Sequence, residues 1–240
     1  MISTSELSTA FVGMADSLVD DFDLVDFLHD LTVHAAHLSG ADAVGIVLAD
    51  HAGRVRYMAS SNESGRLMEL LQLQSSEGPC LDCVRTGVPV VNADLAHAGD
   101  RWPVFAPQAR SAGFAAVHAF PLRLRRDVLG ALNLFSSEAM TFSEEEVGVV
   151  QALADVATIA IMQERAIARA EAVTEQLQGA LNSRIVVEQA KGALAQAAGI
   201  TISEAFELLR SRARSTRRKL VDVAGDVLAE IADEAGRPPS

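Results

Sequence analysis

An apolar seam along residues 149–181 constrains the fold of this chain more than any other feature of its sequence. Its positions are separated alternately by four and three residues, the spacing of a helix that buries one stripe against a partner helix. The members of the seam are Val149, Leu153, Val156, Ala160, Gln163, Ile167, Ala170, Thr174, Leu177 and Leu181. Because the charge-rich stretch 163–178 has no other core to enter, we predict a parallel homodimer through the helix at residues 149–181. A solvent-exposed helix in a monomer is the alternative.

The composition indicates a globular chain around this helix. Of 240 residues, 49% are hydrophobic and 22% are charged, which excludes a disordered or collagen-like chain. Two cysteines, Cys80 and Cys83, are too few for a disulfide scaffold, and we expect them to be reduced. The longest apolar stretches, residues 112–122 and 156–163, are shorter than the ~20 residues of a membrane span. The N-terminus lacks the pattern of a signal peptide, so we predict a cytoplasmic protein.

The part of the chain before the seam alternates between helical and strand-like patterns. Helices are predicted at residues 6–19, 24–38 and 66–73, and strands at 43–49, 54–60, 89–91, 114–124 and 128–135. Glu77-Gly78-Pro79 is expected to break the chain, and residues 92–107 form a loop-rich stretch. Ser143, followed by three glutamates, is expected to cap the long helix. These elements predict an α+β domain with an antiparallel sheet and flanking helices.

Two further helices are predicted after the long one, and they complete a three-helix module. Thr201 and Glu204 have the spacing of a capping box. The helix that they begin is expected to place Ile202, Phe206, Leu209 and Ala213 on one face. The last helix, from about residue 219, carries its apolar residues at helical spacing: Leu220, Val223, Ala224, Val227, Leu228 and Ile231.

The charge of the chain is unevenly distributed. Residues 1–162 hold nine arginines, no lysine and 21 acids, whereas residues 163–240 hold 11 residues of each sign. Six basic residues and no acid lie within the ten residues 210–219. In an acidic protein such a run is a candidate footprint for nucleic acid, and a solvated helix face is the alternative interpretation.

Four short motifs in the last third resemble those of ANTAR RNA-binding domains. They are LQGALNSR at 177–184, EQAKG at 188–192, AFELLR at 205–210 and KLVDVA at 219–224. An earlier set resembles GAF sensor domains: ADA at 41–43, EGPCLDC at 77–83, Gly87, WP at 102–103, PL at 121–122 and LGALNL at 129–134. The resemblances imply a helical lead at residues 1–22, a GAF sensor at 23–162, a coiled-coil connector at 163–181 and a three-helix ANTAR domain at 176–236.

The ANTAR resemblance implies an antitermination regulator that binds paired stem-loops in nascent RNA. By the family match, Ser183, Arg184, Lys191 and Arg210 are expected at the RNA, with Arg214, Arg217 and Lys219 on its phosphates. Gly192 would allow close approach of RNA or of a packed helix. A local ion pair of Glu188 with Arg184 and Lys191 is the alternative role for that acid.

The sensor resemblance implies a pocket for an unidentified ligand, whose candidate residues are Cys80, Cys83, Trp102 and His118. Two thiolates do not complete a zinc site, so we predict no metal, and the cofactor is left unknown. Redox sensing by the cysteines and haem ligation by His118 are alternatives to structural roles. The pattern of cyclic-nucleotide GAF domains is missing, because Leu134 follows Asn133.

Two other functions compete with a non-enzymatic RNA-binding regulator. A thiol-dependent redox enzyme or sensor would use Cys80 and Cys83, as GAF-fold reductases of free methionine sulfoxide use cysteines. A DNA-binding regulator would use the last helices as a helix-turn-helix.

Overall fold

The computed structural model describes residues 4–17, 23–50, 52–125 and 127–235. In chain order the elements are α1 (Thr4–Ser17), α2 (Leu24–Ser39), β1 (Ala43–Ala49), β2 (Val55–Ser60), α3 (Glu63–Ser75), α4 (Pro79–Thr86), β3 (Val90–Asp94), α5 (Phe105–Ser111), β4 (Ala116–Leu124), β5 (Asp127–Ser136), α6 (Glu144–Ala198), α7 (Ile202–Thr216) and α8 (Leu220–Ala235). The chain divides into two compact units, Met1–Arg165 and Ala166–Ser240. The end of the first predicted helix, Val19, lies outside the described residues.

The first unit is built on a five-stranded antiparallel sheet with the order β2-β1-β5-β4-β3. The central strand β5 pairs with β1 through Ile46 and Leu132, and with β4 through Phe120 and Leu132. Successive residues of β1 and β5 are buried on both faces of the sheet. The predicted α+β fold with an antiparallel sheet is therefore confirmed.

Helices cover both faces of this sheet. On one face, α1, α2 and the first part of α6 form an apolar cluster that includes Leu28, Leu132 and Leu153. On the other face, α3, α4 and α5 form a second cluster that includes Trp102 and Phe135. Two helical layers thus exclude water from both sides of the central strands, which explains their nearly continuous apolar sequence.

Capping interactions fix the ends of several helices. The Asp23 carboxylate accepts hydrogen bonds from two backbone N–H groups at the start of α2, and Gly40 ends that helix with a left-handed backbone, φ 72°. Ser143 caps the start of α6, as the sequence predicts, because its hydroxyl accepts a hydrogen bond from the Glu146 backbone N–H. The Glu146 carboxylate accepts in return from the Ser143 backbone N–H. The capping box of Thr201 and Glu204 is also present, at the start of α7.

Two short helices, α4 and α5, were not predicted. The sequence predicts a chain break at Pro79, but this residue occupies the first turn of α4, where its missing N–H is not needed. The stretch predicted as loop-rich, residues 92–107, contains the end of β3 and the start of α5. Helices of 8 and 7 residues give too short a periodic pattern to be recognised.

The long helix α6 is 55 residues long and extends beyond the predicted connector to Ala198. Its seam has two different environments. Leu153 and Ala160 are buried in the core of the first unit and are not available to a second copy. Residues 166–182 are exposed throughout. In the part of the chain that is described, no helix is sufficiently long and apolar to span a membrane.

The second unit is a bundle of the last part of α6 with α7 and α8. Its described buried residues are Ala190, Ala205, Leu209, Ala213, Val223, Ala224 and Val227. The predicted face of α7 requires a correction, because Ile202 is 58% exposed and Ala205 is buried instead. Ile202 is the first residue of α7, beside the cap, and its side chain stays outside the bundle.

Candidate functional sites

Three arginines of the basic run are paired with acids. Arg212 donates two hydrogen bonds to the Glu230 carboxylate, at 2.9 and 2.6 Å. Arg218 forms an ion pair with Asp226. Arg210 has a longer contact of 3.5 Å with Glu207, one turn earlier on α7. Two of the six basic residues at 210–219 are thus held by carboxylates of α8.

Four other basic residues predicted for the interface are exposed. Within the described ranges, no acid lies within 4.0 Å of the side-chain nitrogens of Arg184, Arg214, Arg217 or Lys219. Arg217 ends α7 with a left-handed backbone, φ 54°, so it departs from the regular helical spacing of Arg210 and Arg214. The turn between α7 and α8 therefore presents Arg217 and Lys219 beside the end of the basic helix.

Lys191 is largely occupied by contacts within its own unit. Its side chain is 16% exposed, and its Nζ lies 2.8 Å from the Glu188 carboxylate. The same ammonium group lies 5.3 Å from the centre of the Phe206 ring on α7. The local ion pair that the sequence offered as the alternative role for Glu188 is present with Lys191. Lys191 therefore joins α6 to α7 as well as carrying charge.

The two small residues of the predicted interface lie on α6. The Ser183 hydroxyl donates a hydrogen bond of 2.8 Å to the Gly179 carbonyl of its own helix. Gly192 is exposed, and a Cβ atom there would meet no described side chain or neighbouring element within 4 Å. No helix of the described chain therefore packs closely on Gly192.

In the first unit, Cys80, Cys83 and Trp102 lie together in the cluster under α4 and α5. The Trp102 indole N–H donates to the Asp82 carboxylate at 3.0 Å, and Arg101 donates to the same oxygen at 2.9 Å. These contacts tie the loop carrying Trp102 to α4.

Both thiols are fully buried. Burial raises the pKa of Cys80 well above its usual value and that of Cys83 to about 12. Because the thiolate is the reactive form of cysteine, these environments favour inert thiols at neutral pH.

His118 does not share this site, which corrects the predicted four-residue pocket. Its side chain lies on the opposite face of the sheet, where its ring centre is 4.3 Å from that of Phe142. The Nδ1 atom accepts a hydrogen bond from the Asn92 backbone N–H at 3.0 Å, while Nε2 has no partner in the described structure. Burial lowers the pKa of His118 to about 4, so the imidazole is neutral. No cluster of three or more potential metal-binding side chains occurs among the described residues.

A buried polar chain in the first unit was missed by the sequence analysis. Glu69 on α3 is completely buried and accepts hydrogen bonds from Asn133 at 2.7 Å and Gln72 at 3.1 Å. Gln72 in turn accepts from the Cys80 backbone N–H at 2.9 Å. A Cβ atom at Gly45 would overlap the Glu69 carboxyl group, so the glycine in β1 makes room for this side chain. A glycine inside a strand was the available sequence signal.

Desolvation of the Glu69 carboxyl group raises its pKa to about 8, against the effect of its two amide donors. The group is therefore largely protonated at neutral pH. The Asn133 Oδ1 atom beside it has no partner within the described ranges. The core of the first unit thus contains a carboxyl group that titrates close to neutral pH.

Comparison with known protein families agrees with this architecture. A GAF domain model matches residues 23–162, and an ANTAR domain model matches residues 175–228. The chain therefore belongs to the GAF domain family and carries an ANTAR domain. No curated protein matches it significantly.

Several solved structures are similar to the first unit in fold. The GAF domain of a phosphoenolpyruvate-protein phosphotransferase from Coxiella burnetii is 19% identical, covers 70% of this chain and 99% of its own, and gives a TM-score of 0.56. The corresponding domain from Acinetobacter is 20% identical over 70% and 99%, with a TM-score of 0.53. The free methionine-R-sulfoxide reductase from Neisseria meningitidis is 16% identical over 70% and 96%, with a TM-score of 0.53. At these identities the similarity concerns the fold.

Proposed function

We propose that this protein is an RNA-binding transcription antitermination regulator. Its ANTAR domain binds paired stem-loops in nascent mRNA in the cytoplasm, under the control of its GAF sensor domain. The observation that carries the proposal is an exposed group of cations, Arg214, Arg217 and Lys219, which have no acidic partner among the described residues and lie within the matched ANTAR segment. Such cations neutralise phosphates and release counterions, which drives association with RNA.

The last helices offer arginine side chains, and no aromatic platform, for stacking against unpaired RNA bases. No aromatic residue follows Phe206 in the sequence, and Phe206 itself lies beneath the Lys191 ammonium group. Guanidinium groups must therefore provide the planar surfaces on which unpaired bases stack. Arg184 and Arg210 are the candidates for this role.

A homodimer would present two such surfaces to a pair of hairpins. The exposed apolar residues of α6 in the second unit support this arrangement: Ile167, Val173, Leu177, Leu181 and Ile185. An exposed apolar stripe on a helix is most simply buried against the same stripe of a second copy.

The thiol-dependent alternative is not supported by the environment of the cysteines. Cys80 and Cys83 are buried with raised thiol pKa values, whereas reactive cysteines are exposed with lowered ones. The proposal is accordingly a non-enzymatic regulator whose GAF domain responds to a small ligand.

The proposal is tested by removing the exposed cations and measuring RNA affinity. We expect the double variant Arg214→Ala/Arg217→Ala to bind a paired-hairpin RNA at least about tenfold more weakly, because two phosphate contacts are lost. The matched control, Arg56→Ala/Arg110→Ala, removes the same charge from exposed positions of the first unit. Equal affinities of the two double variants in a fluorescence anisotropy titration would contradict the assignment. Duplex DNA as a competitor separates RNA binding from the DNA-binding alternative.

A further inference from the structure

The last helix carries a row of acids on the side that meets α7. Asp222, Asp226 and Glu230 are spaced by four residues, so they share one flank of α8. The apolar residues Val223 and Val227 lie beside this row and are buried in the bundle. The carboxylates are therefore held at the edge of the α7–α8 contact.

Two of these acids form ion pairs with arginines of the basic run. Glu230 holds the Arg212 guanidinium in a two-point contact, and Asp226 holds that of Arg218. Hydrogen bonds from the two arginines lower the pKa of Asp226 and of Glu230, so both acids are ionised. Asp222 adds a further attraction for Arg218. A third of the basic residues at 210–219 is thereby neutralised within the chain.

Both ion pairs are accessible to a competing anion. The side chains of Arg212 and Glu230 are 45% and 55% exposed, and those of Arg218 and Asp226 are 47% and 42% exposed. Exposed ion pairs contribute little to stability and are screened by salt. A phosphate group offers a guanidinium the same two-oxygen geometry as a carboxylate. Arg212 and Arg218 can therefore exchange one partner for the other without unfolding the bundle.

We infer that the acidic row of α8 is a built-in competitor of RNA, in which the Glu230 and Asp226 carboxylates occupy Arg212 and Arg218 until RNA phosphates displace them. The inference rests on the proposed function and concerns the regulation of the same interface. Each displacement subtracts the free energy of an internal contact from that of an RNA contact. The row therefore holds the affinity for RNA below the value that the basic run alone would provide.

The first test changes one acid of the row and one acid outside it. Glu230→Gln removes the partner of Arg212, and Asp233→Asn removes an equal charge from the same helix. No described basic side chain lies within 4.0 Å of the Asp233 carboxylate. In titrations of the full-length protein with a two-hairpin RNA, we expect E230Q to bind about three- to tenfold more tightly than the unaltered protein. D233N is expected to change the affinity by less than about twofold. Equal effects of the two substitutions would overturn the inference.

A second test asks whether the released arginine reaches RNA. Arg212→Ala is introduced into the unaltered protein and into E230Q, which gives a double-mutant cycle. We expect the loss of affinity to be larger in the E230Q background, because Arg212 is then free to contact phosphate. The same loss in both backgrounds would overturn the inference. Thermal unfolding of each variant, followed by circular dichroism, identifies any variant whose bundle has melted. If one has, the same cycle is carried out with Asp226→Asn and Arg218→Ala instead.

The unaltered protein distinguishes this inference from the proposed function. If it binds the RNA and loses binding with Arg214→Ala/Arg217→Ala, the proposed function holds whatever E230Q does. If it binds no RNA at all, both proposals fail together.

Discussion

At the scale of single residues, the most unusual group is the Glu69 carboxyl. It is buried between α3 and the sheet with two amide partners and no counterion among the described residues. Its folded pKa of about 8 exceeds the ordinary glutamate value of 4.5. Between these values the folded state holds a proton that the unfolded chain releases. The free energy of unfolding therefore decreases as the pH rises through this range and is not reduced further by this group above it.

This linkage predicts the effect of Glu69→Gln. The amide does not ionise, so the unfolding free energy of E69Q should lose less with rising pH than that of the unaltered protein. The gap between the unfolding free energies of the two proteins should change by close to about 1.4 kcal/mol for each pH unit between pH 5 and pH 8. Urea unfolding at both pH values measures it. Glu63→Gln, an exposed acid on the same helix, is the control and should leave the pH dependence unchanged. Parallel curves for E69Q and the unaltered protein would show that Glu69 titrates normally.

At the scale of elements, the sequence predicts a helix or strand correctly where one hydrophobic period extends over the whole element. The strand at 43–49 and the helix before it follow from a buried run and from helical spacing, and the structure has them with nearly the same bounds. The helix α4 was missed because Pro79 both breaks a preceding element and begins a new one. The site was less predictable than the fold. The face of the sheet on which His118 or Cys80 lies depends on how the helix layers pack on the strands. The ion pair of Arg212 depends on Glu230, 18 positions later in the chain.

The exposed part of α6 carries the prediction at this scale. Leu177 and Leu181 are 67% and 52% exposed, so charged replacements should not disturb the fold of one chain. We expect Leu177→Glu/Leu181→Glu to convert a dimer into a monomer in sedimentation equilibrium, because charges in a coiled-coil seam repel and lose their hydration. The control Ala172→Glu/Gly179→Glu adds the same charge to exposed positions away from the seam and should remain dimeric. An unaltered protein that is monomeric at micromolar concentration would contradict the dimer.

At the scale of the whole molecule, the charge is divided between a sensor part and an output part. Residues 1–162 carry a net charge of -12, whereas the local excess of basic residues lies between 184 and 221. The acidic part repels phosphate, so the attraction to RNA that we propose depends on the output part. Within that part, the acids of α8 limit how many cations are free. This distribution favours selective contact at a few positions over general attraction to nucleic acid.

Selective recognition of RNA loops is the central claim of the account, and one gel-shift experiment tests it most directly. The full-length protein is titrated, at near-physiological salt, against an RNA with two short hexanucleotide-loop hairpins and against the same RNA with scrambled loops. The account predicts binding that depends on the loop sequences, because bases are read in unpaired loops and phosphates contribute equally to both RNAs. Equal binding of the two RNAs, or binding to neither, would contradict it.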